Sequence, residues 1–219
     1  AWAQGEAPWP GHPVRVIVPF PASGATDLVA RVIAQRVSQE LGQQLIIDNK
    51  PGGGGTIGPG DVQWMTAGAG ILHEEFHSPE FTRQGGELEM VQLWVNLPAK
   101  DKMAVPGYQG INSDVIPSVA LPDEAGSVRV IAGSYQDTKG PAHTFSPLNV
   151  WDMRLQRNHQ LTLSQPEGWS TALVVLKGNI TVNGTTSASE AQLVVLSQQG
   201  KTLHIEASSD ASVLLLSGE

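Results

Sequence analysis

PGDVQWMTAGAGILHEEFHSPEFTRQGGELEMVQLWVNLPAKDKM, residues 59–103, carries the chain's only side chains spaced like a chemical site. His73 and Glu75 lie two residues apart. Extended backbone alternates its side chains between faces, so a strand over Gly70 to Phe76 would project both from one face toward a single ion. An imidazole nitrogen and a carboxylate oxygen suit iron, and two His with one carboxylate form the open facial site of non-haem Fe(II) oxygenases. Glu75 is also a candidate base toward an acidic hydroxyl. A solvated acidic strand is the alternative reading of an isolated H-x-E. His77 does not complete the set, because along a straight strand it stands roughly 13 Å from His73. Metal–nitrogen bonds of about 2 Å cannot close that gap.

Three runs within this stretch extend the reading: Asp61-Val-Gln-Trp-Met-Thr-Ala-Gly68, Ile71-Leu-His-Glu-Glu75 and Gln92-Leu-Trp-Val-Asn-Leu-Pro-Ala-Lys-Asp-Lys102. In that order they resemble the pirin family, iron-binding double-cupin proteins, some with quercetin 2,3-dioxygenase activity. The resemblance implies a flavonol bound through adjacent oxygens to Fe(II) and cleaved by O2. It implies His73 and Glu75 as metal ligands, Glu75 doubling as catalytic base, beside two further His from an upstream H-x-H segment. Upstream of His73 this chain has only His12. Two of the family's ligands therefore have no counterpart, which implies iron held weakly or not at all and dioxygenase turnover impaired or absent. No substrate-binding residue is assigned.

With 219 residues and 40% hydrophobic content the chain can bury one sizeable core or two modest ones. A net charge of −8, with its Lys and Arg never in a run longer than a pair, argues against nucleic acid and anionic membrane as partners. Absence of Cys excludes disulfides and zinc–thiolate sites. No apolar stretch approaches the roughly 20 residues of a membrane span.

Upstream, the β-branched run Val14 to Val18 predicts a buried strand closed by Pro19. Thr26 or Asp27 can cap a helix whose apolar positions Leu28, Val29, Val32, Ile33, Val37 and Leu41 recur at helical spacing, with Gly42 as its stop. Leu45 to Ile47 predicts a second strand, completing a βαβ unit. His12 to Asp27, Leu28 to Leu41 and Leu45 to Gly58 together resemble the N-terminus of Bug-type receptors, the periplasmic binding proteins of tripartite tricarboxylate transporters. In those receptors the loop matching Pro21 to Asp27 offers backbone N–H groups to a carboxylate; the alternative is a plain βα turn. Lys50-Pro-Gly-Gly-Gly-Gly-Thr56 has its Lys before the glycines and reads as a joint rather than a phosphate loop.

Downstream the chain reads as all β. Met90 to Leu97, Ser127 to Ala132, Pro147 to Leu155, Ala172 to Leu176, Asn179 to Val182, Gln192 to Leu196, Thr202 to Ala207 and Ser212 to Leu216 are the expected strands, with Pro98 to Tyr108 a polar connection. Asn183-Gly184 predicts a type I′ hairpin and Lys177-Gly178 another turn. His204 reads as a strand-face residue, and His143 and His159 as solvated loop residues. Pirins continue beyond a run like Leu216-Ser-Gly-Glu219 and begin with strands that this chain replaces.

The expected fold is thus mainly β: a pirin-like bicupin β-sandwich with a truncated first cupin, preceded by a short βαβ segment. The expected units are a receptor-like fragment over 1–58, the remainder of the first cupin over 59–125, and a second cupin over 126–219. The resemblance implies a pirin-like cupin protein with an incomplete Fe(II) site and a flavonol or another aromatic small molecule as partner. A non-catalytic binding or regulatory cupin is the alternative, and a periplasmic receptor for small carboxylates the third. The pirin part implies the cytoplasm, the receptor-like part the periplasm.

Overall fold

A computed structural model describes residues 10–18, 25–49, 57–71, 73 and 79–219. In chain order it contains β1 (Val14–Val18), α1 (Ala25–Leu41), β2 (Leu45–Asn49), β3 (Val62–Thr66), α2 (Pro79–Gln84), β4 (Gly107–Ile111), β5 (Ser118–Ala120) and β6 (Gly126–Ala132). There follow β7 (Ser134–Tyr135), β8 (Thr138–Lys139), β9 (Leu148–Leu155), β10 (His159–Ser164), β11 (Ser170–Lys177) and β12 (Asn179–Val182). The last four are β13 (Thr186–Ser189), β14 (Gln192–Val195), β15 (Thr202–Ala207) and β16 (Ala211–Gly218). The chain is mainly β, as expected. No helix of the described residues is long and apolar enough to cross a membrane.

Two sheets make the sandwich. One has six strands in the order β14-β11-β16-β9-β6-β5, the other four in the order β10-β15-β12-β13. Between them lies the main core. The alternation of each strand supplies it: Val128 and Val130 from β6, Trp151, Met153 and Leu155 from β9, and Val213 and Leu215 from β16 face Leu161 and Leu163 of β10 and Leu203 and Ile205 of β15. The six-stranded sheet is covered on its other face as well. Ile131, Val150 and Leu214 join Ile111 and Ile116 in a second apolar cluster, with Val62, Trp64 and Leu93 packed against it. Burial on both faces explains the unbroken run Val213-Leu-Leu-Leu216, which a one-sided strand would have interrupted with polar residues. At Val130–Ala132 the pairing with β9 slips, so Ile131 and Ala132 both reach the second cluster.

Turn chemistry in this half follows the sequence. Asn183 and Gly184 both take positive φ, 51° and 69°, and the Thr185 N–H donates to the Val182 carbonyl at 3.2 Å, the pattern a type I′ hairpin requires. Two corrections concern the middle of the chain. Residues 85–98 form no strand, and Trp94 is 94% exposed. Alternation over Met90 to Leu97 had suggested one, but a strand needs a partner for its backbone groups and no described strand pairs there. The region read as a polar connection ends in β4, which pairs antiparallel with β3 from Val62↔Ile111 to Thr66↔Gly107.

The βαβ segment forms. β1 and β2 run parallel in the register Val14↔Leu45, and Gly42 ends α1 with φ +63°. Asp27 lies inside the first turn rather than at the cap, buried, accepting from Arg31 Nε at 2.9 Å. Leu28, Val29, Val32 and Ile33 are exposed, and Ala34 is buried. Two strands offer too narrow a face to cover an amphipathic stripe of ordinary width. The loop expected to meet a carboxylate, Pro21 to Asp27, lies mostly outside the described residues.

Candidate functional site

The run that begins at Asp61 works first as a dock. Gly60 and Gly58 turn the chain into β3; the Asp61 carboxylate accepts from the Gly58 N–H at 2.8 Å and from the Ser113 N–H at 2.7 Å. Arg129 on β6 reaches across, donating to the Gly60 carbonyl at 2.6 Å and the Ser113 hydroxyl at 3.0 Å, while its other terminal nitrogen donates to Asp152 at 3.0 Å. Arg154 donates to the second Asp152 oxygen at 2.6 Å. Asp152 is buried on β9, so two guanidinium groups compensate one desolvated carboxylate. Further along β3, the Trp64 indole donates to the His143 carbonyl at 2.8 Å. Burial pushes the Tyr108 phenol on β4 above its ordinary range, against the opposing hydrogen bond with Gln63.

After β3 the chain turns at Gly68, where φ is +48° and a Cβ would stand 2.1 Å from the Ala104 carbonyl oxygen. Only glycine fits there. The expected strand over Gly70 to Phe76 is not found at Gly70, Ile71 or His73, which are irregular, and His73 is exposed. Gly70, Ile71 and His73 have no strand partner among the described residues. Glu75 and His77 lie outside the described residues.

The other described imidazoles lie on separate segments of the chain. His12 is exposed ahead of β1, and His143 sits in an irregular, exposed stretch. His159 is a correction: it opens β10 instead of lying in a loop, with Nδ1 3.0 Å from the Arg157 carbonyl oxygen. His204 lies on β15 as expected, its Nδ1 3.0 Å from Thr162 Oγ1. Among the described residues no three of His, Cys, Asp and Glu gather closely enough to hold a metal ion. Of the two ligands that the pirin resemblance implied, His73 is among the described residues and Glu75 is not.

Sequence reasoning missed two features. The Arg129–Asp152–Arg154 group was signalled by charges inside otherwise apolar strands, SVRVIA and NVWDMRL, since a buried charge must be paired. The other is a cavity of about 610 Å³ where the start of β9, the end of β10 and the β7–β8 hairpin meet. No motif announced it, because its walls come from four separate segments.

Comparison with known proteins adds the family. A pirin profile matches residues 45–95 and a pirin C-terminal cupin domain profile matches residues 150–219. A Pseudomonas aeruginosa protein carrying a provisional quercetin 2,3-dioxygenase name is 54% identical over 168 residues, 77% of this chain and 58% of its own. Pirin-1 of Arabidopsis thaliana is 36% identical over 191 residues, 84% of this chain and 63% of its own. The crystal structure of a quercetin 2,3-dioxygenase from Acinetobacter baumannii, 53% identical, superposes with a TM-score of 0.73 over 76% of this chain and 58% of that one. The chain therefore spans about three-fifths of the length of these relatives. Pirin similarity also reaches upstream of Gly58, where the receptor-like fragment was expected to end: one profile starts at Leu45, and 84% coverage exceeds what residues 58–219 alone provide. With two pirin profiles matching more than half of the chain between them, and with sequence and backbone relatives in agreement, the chain belongs to the pirin family.

Proposed function

We propose that the chain is a cupin oxidoreductase of the quercetin 2,3-dioxygenase type by descent, with an incomplete iron site and impaired or absent turnover. The observation that supports the activity class is the 54% identity with the Pseudomonas protein over most of this chain. The observation that supports impairment is the lack of an H-x-H segment ahead of His73, where this sequence has His12 alone. His73 and Glu75 are the two ligands we assign, Glu75 also serving as the base toward a flavonol hydroxyl. A flavonol is the small-molecule partner implied, Fe(II) the ion. The cytoplasm is the compartment consistent with pirin similarity upstream of Gly58, and the division into units over 1–58, 59–125 and 126–219 is part of the same reading.

The test is metal content and oxygen uptake on the purified chain loaded anaerobically with Fe(II). Expected are substoichiometric iron and no quercetin-dependent oxygen consumption above the protein-free rate. Stoichiometric iron that is lost in His73→Ala, together with quercetin-dependent uptake, would overturn the proposal.

A second reading, a non-catalytic binding cupin, is supported by the C-terminal sandwich, which closes an apolar core between its two sheets and has a cavity at its end. Carboxylate binding by the βαβ segment keeps only the parallel strand pair and helix as support.

A further inference from the structure

The edge strands of the sandwich are not alike. β5 is three residues long and lies between Pro117 and Pro122. β13 turns Thr186 and Ser187 to solvent, and β10 turns Gln160, Thr162 and Ser164. Short length, proline and polar side chains all discourage a sheet edge from pairing further. β14, the other edge of the six-stranded sheet, presents apolar side chains instead. Val194 joins the core, while Leu193 and Val195 stand 60% and 71% exposed on the outer face.

The apolar surface continues inward from that edge. Leu193 lies beside Val174 and Leu214, and Val195 beside Ala172 and Leu216, in two rows across β14, β11 and β16. The backbone is oriented to match. The Leu196 N–H donates to the Thr171 carbonyl at 2.9 Å, in a pairing that sets Val174 opposite Leu193 and Ala172 opposite Val195. By the alternation of an antiparallel ladder, Gln192, Val194 and Leu196 direct their N–H and C=O groups to β11, and Leu193 and Val195 direct theirs outward. No described strand receives them. The same two residues therefore offer both the exposed side chains and the open hydrogen-bonding groups.

Charge points to the occupant. At a net charge of −8, two copies of the chain repel in most orientations. Residues 191–200, AQLVVLSQQG, hold no charged side chain, so a copy can approach along this edge without that penalty. The strip is also self-complementary. With a two-fold axis at Val194, antiparallel pairing sets Leu193 against the partner subunit's Val195, each exchanging both backbone hydrogen bonds, with the two side chains on one face. Glu190, just before the strand, then meets the neutral Gln198 of the partner subunit. We propose that β14 is a self-association edge, joining the six-stranded sheets of two copies into one continuous sheet. With two exposed apolar side chains from each copy, the contact buries less than about 1,000 Å², so the dimer is weak and depends on concentration.

The experiment is sedimentation equilibrium of the full chain from about 10 μM to 1 mM, with amide hydrogen exchange at both ends of that range. Expected is a mass rising from monomer toward dimer, with the Leu193 and Val195 amides slowing as the dimer fills. The Thr162 and Ser164 amides, which point outward at the β10 edge by the same alternation, should not change. Val195→Lys, which sets like charges close to the axis, should weaken association by roughly tenfold or more. Leu193→Lys should do the same, and decides alone if the first variant does not fold. Val32→Lys, on the exposed stripe of α1, should leave association unchanged. A constant monomer mass up to about 1 mM, a dimer that survives both β14 variants, loss of the dimer in Val32→Lys, or equal slowing at both edges would each overturn the proposal.

Discussion

The C-terminal sandwich and the stretch between β3 and β4 share one ancestry and differ in what surrounds their strands. In the sandwich every strand meets a neighbour, and alternate side chains meet an opposing sheet. Between β3 and β4, a comparably apolar sequence finds one face to lean on: Leu93 reaches the second cluster, while Leu88, Met90, Trp94, Met103 and Val105 stand exposed. The difference teaches that hydrophobic pattern specifies a strand only where backbone hydrogen bonds have somewhere to go. The two strands that flank this stretch are tied to the sandwich by the Arg129 contacts to Gly60 and Ser113 and by the apolar packing of Val62 and Trp64.

Four measurements would sharpen or break that contrast. Leu215→Ala, at a side chain 0% exposed between the sheets, should cost about 4 kcal/mol in chemical denaturation. A cost below about 1 kcal/mol would mean the sandwich core is not the seat of stability. Asp152→Ala should cost about 3 kcal/mol, since it strands the Arg129 guanidinium, and limited proteolysis should then cut between β3 and β4 faster than in the sandwich. Uniform protection after that substitution would refute the docking role. Alkali supplies a smaller effect. Burial raises the Tyr135 phenol above its ordinary value, opposed by the hydrogen bond with Gln136, so the folded state holds its proton more tightly than the unfolded. That stability is complete below the unfolded value near 10 and declines as pH rises from there through the folded value. Tyr135→Phe should flatten the decline in a melting series across that window; an unchanged slope would assign it to other groups. Smallest of all, Trp94→Ser should move stability by less than about 0.5 kcal/mol. A large loss there would reveal packing over the exposed indole.

How much was legible follows the same division. β12 and β15 matched their expected bounds residue for residue, and β6, β9, β11, β14 and β16 to within two residues or so, because alternation and turn residues act locally and the opposing sheet supports them. The helix was legible from its spacing, but not the exposure of Leu28 to Ile33, which depends on how few strands lie beneath it. Met90 to Leu97 misled for the reason given above, the lack of a partner. At the site, His73 and Glu75 were readable as residue types, whereas the turn at Gly68 against the Ala104 carbonyl was not, because its tightness comes from a segment far along the chain. The cavity was illegible: Tyr135, Asn149, Thr162 and Trp169 come together only once both sheets have formed.

The position of β16 between β9 and β11 carries a consequence for synthesis. β6 and β9 leave the ribosome as a hairpin whose natural neighbour has not yet been made. At roughly 5–20 residues per second, the stretch from Leu155 to Ala211 takes several seconds to appear. Throughout that wait the outer edge of β9 is open to any passing strand, its own nascent copies on the same message included. Slow codons or a missing chaperone over this interval would therefore act on yield rather than on the stability of what survives.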